Sequence, residues 1–179
     1  MKILIVFGTR PEAIKMCPLI LELNKNPDIK CSVCLTGQHK EMLDQVIDTF
    51  EVNVDYNLSL MKERQKLEDI TSEIIVGVSK VIGIEKPNLL LVHGDTTTSF
   101  SAAIAAFYHK IPIGHVEAGL RTYNMNSPYP EEFNRQAIDL ITDVYFAPTQ
   151  TAKMHLINEG KVADKIFVTG NTVIEDRKS

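Results

Sequence analysis

The chain has 179 residues, with 19 basic against 23 acidic side chains, a net charge of −4 and 44% apolar residues. That suits a single globular domain with a substantial core. Mild acidity without a dense Lys/Arg face argues against a nucleic-acid binder. No apolar run reaches membrane-spanning length, and the N-terminus is too short for a signal peptide, so the expected compartment is the cytoplasm.

Lys2 to Phe7 is a near-continuous β-branched and aliphatic run, the pattern of a strand buried on both faces of a parallel sheet. Gly8-Thr9-Arg10-Pro11-Glu12 turns the chain, with Thr9 suited to cap a helix and Pro11 to open it. That helix runs to about Asn24, with Pro18 inside it. Cys31–Leu35 reads as the second strand and Lys40–Phe50 as a helix with Leu43, Val46, Ile47 and Phe50 inward. Val52–Leu60 is a weaker strand and loop, and Met61–Lys66 is charged. Leu67, Ile70, Ile74, Val78 and Val81 recur at spacings of three and four, which predicts an amphipathic helix over Leu67–Gly83. Asn88–His93 is a buried strand ending in Gly94-Asp95, and Thr96–His109 an Ala-rich helix. Ile111–Glu117 is the next strand, Glu131–Ile141 a helix, Val144–Ala147 a strand, Thr149–Glu159 a helix and Ile166–Thr169 a last strand.

This alternation predicts an α/β, doubly wound, mainly parallel, Rossmann-like sheet with helices on both faces. All strand C-termini then share one edge, where such sheets bind ligands. Arg10, Gln38, His39, Asp95 and Glu117 each follow a strand directly and so gather there.

Cys31-Ser-Val-Cys34 is formally C-x-x-C. Residues three apart in a strand point to opposite faces, and no helix N-terminus is at hand to activate a thiol, so these cysteines are expected to be buried small hydrophobes.

The first turn lacks both G-x-G-x-x-G and G-K-[ST], which leaves a helix N-terminus flanked by Arg10 and Lys15 as a place for an anion such as a diphosphate. The bland alternative pairs these cations with Glu12 or Glu22. His93-Gly-Asp95 and His115-Val-Glu117 each set a His and a carboxylate two apart at a strand end. They could bind a metal or serve as acids and bases, and the histidines could equally be buried rings bonded to backbone. Asp95 could instead cap the following helix. Glu131 and Glu132 fall in a first helical turn, with Arg135 at i+4 from Glu131 in ordinary salt-bridge spacing.

Gly8-Thr-Arg-Pro-Glu-Ala-Ile-Lys15, Val92-His-Gly-Asp-Thr96, Gly114-His-Val-Glu-Ala-Gly-Leu-Arg-Thr122, Pro130-Glu-Glu-Phe-Asn-Arg135 and Gly170-Asn-Thr172 together resemble the non-hydrolysing UDP-N-acetylglucosamine 2-epimerases. The resemblance implies the N-terminal domain of a glycosyltransferase-B-like two-domain fold: residues 1–170 would form it, and 171–179 would begin the connection to a second domain absent from this chain. It implies interconversion of UDP-GlcNAc and UDP-ManNAc by C2 deprotonation, UDP elimination and re-addition through a glycal, with no cofactor. Asp95, Glu117 and Glu131 would be the acid/base carboxylates. Arg10 and Lys15 would contact substrate, and Arg135 would orient Glu131 or the substrate. Gln38, His39 and Arg64 match a possible regulatory site. The full-length protein would be a homodimer, and this piece inactive alone. A carboxylate of raised pKa would suit removal of the weakly acidic C2 proton. Three readings stay open beside it: a hydrolysing relative that releases UDP and ManNAc, a metal-dependent hydrolase using His93, Asp95, His115 and Glu117, and a non-catalytic sugar-nucleotide binding module.

Overall fold

The computed structural model describes residues 1–37, 40–60 and 65–171, so Gln38, His39 and Arg64 lie outside the described residues. Among the described residues, seven strands form one sheet in which every neighbouring pair is parallel. They are β1 (Lys2–Phe7), β2 (Lys30–Leu35), β3 (Tyr56–Asn57), β4 (Leu89–His93), β5 (Ile113–Val116), β6 (Val144–Ala147) and β7 (Ile166–Val168), in the order β3-β2-β1-β4-β5-β6-β7. Strand order reverses between β1 and β4, which makes their C-terminal ends the switch point where such sheets open a crevice.

The helices are α1 (Arg10–Asn24), α2 (Lys40–Phe50), α3 (Leu67–Glu85), α4 (Thr97–Tyr108), α5 (Glu131–Ile141) and α6 (Gln150–Asn158). Side chains alternate along β1. Ile3, Ile5 and Phe7 pack with α1 and α2, whereas Leu4 and Val6 pack with α3, α4 and α5. Within α4, Ala102, Ala103, Ala105 and Ala106 are fully buried, and the helix carries no charged residue, which lets α3 and α5 pack closely on either side of it.

Most boundaries fall within one residue of expectation, and three bear on the site or its scaffold. α1 opens at Arg10, with Pro11 in its second position, and Thr9 caps it in a full capping box with Glu12. α3 runs two residues past Gly83 to Glu85. β5 is only Ile113–Val116, because Pro112 has no amide to donate to the ladder and Glu117 bends out of it. Leu67, expected inward, is exposed at the first turn of α3.

The cysteines behave as hydrophobes. Cys34 faces the α3–α4–α5 side and Cys31 the α1–α2 side, and burial pushes the thiols of Cys17 and Cys34 up to about 12.

Candidate active site

The polar side chains converge beyond the C-terminal ends of β1, β4 and β5. Glu117 follows β5 directly, with its own backbone in the left-handed region at φ +68°. For a non-glycine residue that conformation costs roughly 1–2 kcal/mol, so surrounding contacts must hold it. Lys15, one turn into α1, donates to Glu117 Oε2, and His93 Nε2 lies 3.2 Å from the same oxygen. Burial raises the Glu117 carboxyl, but the hydrogen bonds from His93 and Lys15 outweigh it and hold the group at about 2.

Asp95 is held differently. Its carboxylate ion-pairs with Arg135 of α5 at 2.6 Å, and its backbone carbonyl accepts from Asn134 Nδ2 at 2.9 Å. Burial is the largest influence on its pKa and raises it. Arg135 pulls the other way, but nearby Glu117 and Glu131 add to the rise and the net shift is upward. The three expected acid/base carboxylates are therefore close enough to feel one another. The raised pKa looked for at a catalytic carboxylate belongs to Asp95, not to Glu117.

Helix α5 supplies the third wall. Glu132 is fully buried. Its oxygens accept from Thr122 N (3.1 Å), Tyr123 N (2.9 Å) and Gln136 Nε2 (2.8 Å), which ties down the loop after β5. Glu131 is only partly buried and makes no hydrogen bond or ion pair among the described residues, Arg135 included. Arg135 instead bridges Asp95 and Glu132, the latter at 3.6 Å, and its Nε is buried without a hydrogen-bond partner among the described residues. Sequence spacing suggested the i+4 partner. Helix geometry turns the guanidinium toward β4 and the i+3 carboxylate instead.

Glu12 organises the first turn, and one expectation there is corrected. Glu12 is 1% exposed, and its Oε2 accepts from the amides of Gly8 (3.0 Å) and Thr9 (2.8 Å), while Oε1 takes the Thr96 hydroxyl at 2.8 Å. The Gly8 and Thr9 amides before α1 are thus satisfied from within. Arg10 remains exposed at the same edge without an ion pair among the described residues, and Lys15 has gone to Glu117; neither pairs with Glu12 or Glu22. Asp95 does not cap α4, because Thr96 does so through its side-chain oxygen.

His115 is 0% exposed, with Nε2 2.7 Å from the Gly94 carbonyl and Nδ1 2.6 Å from Asp139 Oδ1. Both ring nitrogens are engaged, so neither offers a lone pair to a metal, which removes one ligand from the metal-hydrolase reading. Asp139 also takes Gly119 N (3.1 Å) and the buried side chain of Arg121 (2.8 Å), and Arg121 in turn grips Glu159. Burial raises Asp139, but His115 and Arg121 overcome it and the carboxyl stays below its ordinary range. The sequence reading missed Asn134, Asp139 and Glu12. The available signal for the first two was polar residues on the inward stripe of α5, where Ile138 also lies.

The family described as UDP-N-acetylglucosamine 2-epimerase matches residues 21–178. The UDP-N-acetylglucosamine 2-epimerase of Neisseria meningitidis serogroup A is 56% identical over 98% of this chain and 47% of its own length. That of Bacillus subtilis is 57% identical over 98% of this chain and 46% of its own. The crystal structure of the Neisseria enzyme bound to UDP-GlcNAc superposes with a TM-score of 0.96, covering 98% of this chain and 47% of that one. The Methanocaldococcus jannaschii enzyme in complex with UDP-GlcNAc and UDP, 38% identical, gives 0.92 over 98% of this chain and 48% of that one. A lipopolysaccharide outer core galactosyltransferase, 14% identical with a TM-score of 0.67, shares the fold alone. The chain therefore spans about half the length of the curated relatives it matches, and it belongs to the UDP-N-acetylglucosamine 2-epimerase family.

Proposed function

We propose that residues 1–170 are the N-terminal domain of a UDP-N-acetylglucosamine 2-epimerase, with 171–179 beginning the connection to the second half that its relatives possess. The observation that carries this reading is the meeting of Asp95, Glu117, Arg135 and Lys15 at the switch-point edge. Relatives bound to UDP-GlcNAc and UDP support the substrate class.

In the proposed reaction a base takes the C2 proton and the C1–O bond to UDP breaks. The electron pair left at C2 becomes the C1=C2 bond of a glycal. A proton then returns to the opposite face of C2 and UDP re-adds at C1. Both faces need a proton-transfer group, which suits a set of carboxylates better than one. Asp95, whose pKa burial raises, is better fitted than Glu117 to exchange a proton. Glu117 stays ionised against Lys15 and His93. Glu131, which has no hydrogen bond or ion pair among the described residues, is the third candidate. Arg10 and Arg135 are the cations suited to the departing diphosphate.

The remaining parts of the proposal are a cytoplasmic enzyme, a homodimer when full-length, UDP-ManNAc rather than free ManNAc as product, and a second-site role for Gln38, His39 and Arg64. Proton NMR of the full-length protein with UDP-GlcNAc in D2O tests it. Deuterium at C2 and appearance of UDP-ManNAc are expected. Free ManNAc and UDP as the sole products favour the hydrolysing alternative, and an unexchanged C2 proton refutes both. The 179-residue chain alone is expected to show no turnover.

A further inference from the structure

We infer that His115 is a positioning residue that sets the three carboxylate-bearing segments of the site against one another. The inference rests on the epimerase reading for its substrate but on geometry for its mechanism. The imidazole is fully buried in β5 and touches neither solvent nor the open edge of the sheet. Its Nε2 faces the Gly94 carbonyl at 2.7 Å, and a carbonyl oxygen only accepts, so this nitrogen donates. Its Nδ1 faces Asp139 Oδ1 at 2.6 Å. Asp139 is already accepting from Gly119 N and Arg121 through its other oxygen, as an ionised carboxylate does, so Nδ1 donates as well.

The two hydrogen bonds and the chain itself give the ring three attachments, and each leads to a different reacting group. Gly94 is the residue before Asp95. Asp139 sits on α5, which carries Glu131 and Arg135. His115 itself stands two residues before Glu117, whose left-handed backbone needs support from both sides. Asp139 supplies the other side by holding Gly119 N, two residues after Glu117. The Asn134 contact to the Asp95 carbonyl and the Arg135–Asp95 ion pair also strap α5 to the end of β4, but neither reaches β5. Among the described residues, His115 is the side chain that connects all three segments.

The test splits the ring's two bonds. His115→Gln keeps a donor near the Nε2 position and loses the Asp139 bond; His115→Asn keeps the Asp139 side and loses Gly94. In the full-length enzyme each variant is expected to lower kcat by about 10²-fold, the size of effect a misplacement near 1 Å produces, while KM stays within about threefold. With 2-deuterated substrate the isotope effect on kcat is expected to rise, because proton removal becomes the slow step. A residue that only stabilises the fold would lower Tm and leave the isotope effect alone. Folded variants with wild-type kcat and isotope effect overturn the inference. If wild type itself fails to exchange the C2 proton, the epimerase reading falls, and amide exchange in the 179-residue chain still decides the positioning claim. Faster exchange confined to residues 94–96 and 117–119 supports it. Uniform acceleration that includes residues 4–7 of β1, or unfolding of both variants, overturns it.

Discussion

At the end of β4 the left-handed backbone falls on Gly94 (φ +65°), one residue before the carboxylate of Asp95; at the end of β5 it falls on Glu117 itself (φ +68°). The two His-x-acid stretches look alike in sequence, yet neither His pairs with the acid two residues on. They cross over. His93 contacts Glu117, and His115 contacts the carbonyl of Gly94. One acid is left beside an arginine with its pKa raised, and the other is held at about 2 by a lysine and a histidine. Similar spelling at neighbouring strand ends thus gives two carboxylates of opposite proton affinity, which is how a site divides acid from base work.

The sharpest way to break that contrast is Asp95→Asn in the full-length protein. Loss of a proton-transfer group is expected to lower kcat by about 10²–10⁴-fold with Tm little changed, read by C2 deuterium incorporation. Undiminished turnover would remove Asp95 from the chemistry. Gly119→Ala probes the scaffold behind Glu117. At φ +85° an added Cβ lies 2.4 Å from the Ala152 carbonyl oxygen, so a loss of about 3 kcal/mol is expected in denaturant melts.

Lys15→Met is expected to cost about 2 kcal/mol at neutral pH, with a defined acid limb. Glu117 has a depressed folded pKa, so its stabilisation is present above its unfolded value of 4.5 and fades as pH falls through about 2. The Tm gap between wild type and variant should therefore hold steady above pH 4.5 and narrow between 4.5 and 2. A gap that widens on acidification would mean Glu117 is not held by Lys15. Gly94→Ala should be mildest, about 1 kcal/mol from the positive φ alone, since nothing lies within 4 Å of the new carbon.

The sheet and the edge where its polar side chains gather were legible because buried parallel strands spell themselves as apolar runs, and Gly8-Thr9, Gly94-Asp95 and Glu117 punctuate their ends. The Thr9 cap and the inward face of α2 were readable for the same local reason. The partnerships were not. Whether Lys15 reaches Glu12, Glu22 or Glu117 depends on the twist and spacing of β1, β4 and β5, which no local pattern encodes. Helical spacing set Arg135 beside Glu131, and the resemblance gave it Glu131 or the substrate, whereas its guanidinium reaches Asp95 and Glu132. Asp139 read as one more helical acid, although burial against His115 and Arg121 makes it the hub of the loop after β5.

One practical consequence follows from the cysteines. A thiol reacts through its thiolate, and Cys17 and Cys34 are sealed in the interior with proton affinities far above neutral, while burial also raises that of Cys31. Maleimide dyes at pH 7 should therefore leave the native protein nearly untouched. A cysteine introduced at exposed Tyr129, two residues before Glu131, would give a fluorescent reporter near the candidate site without first stripping the natural thiols.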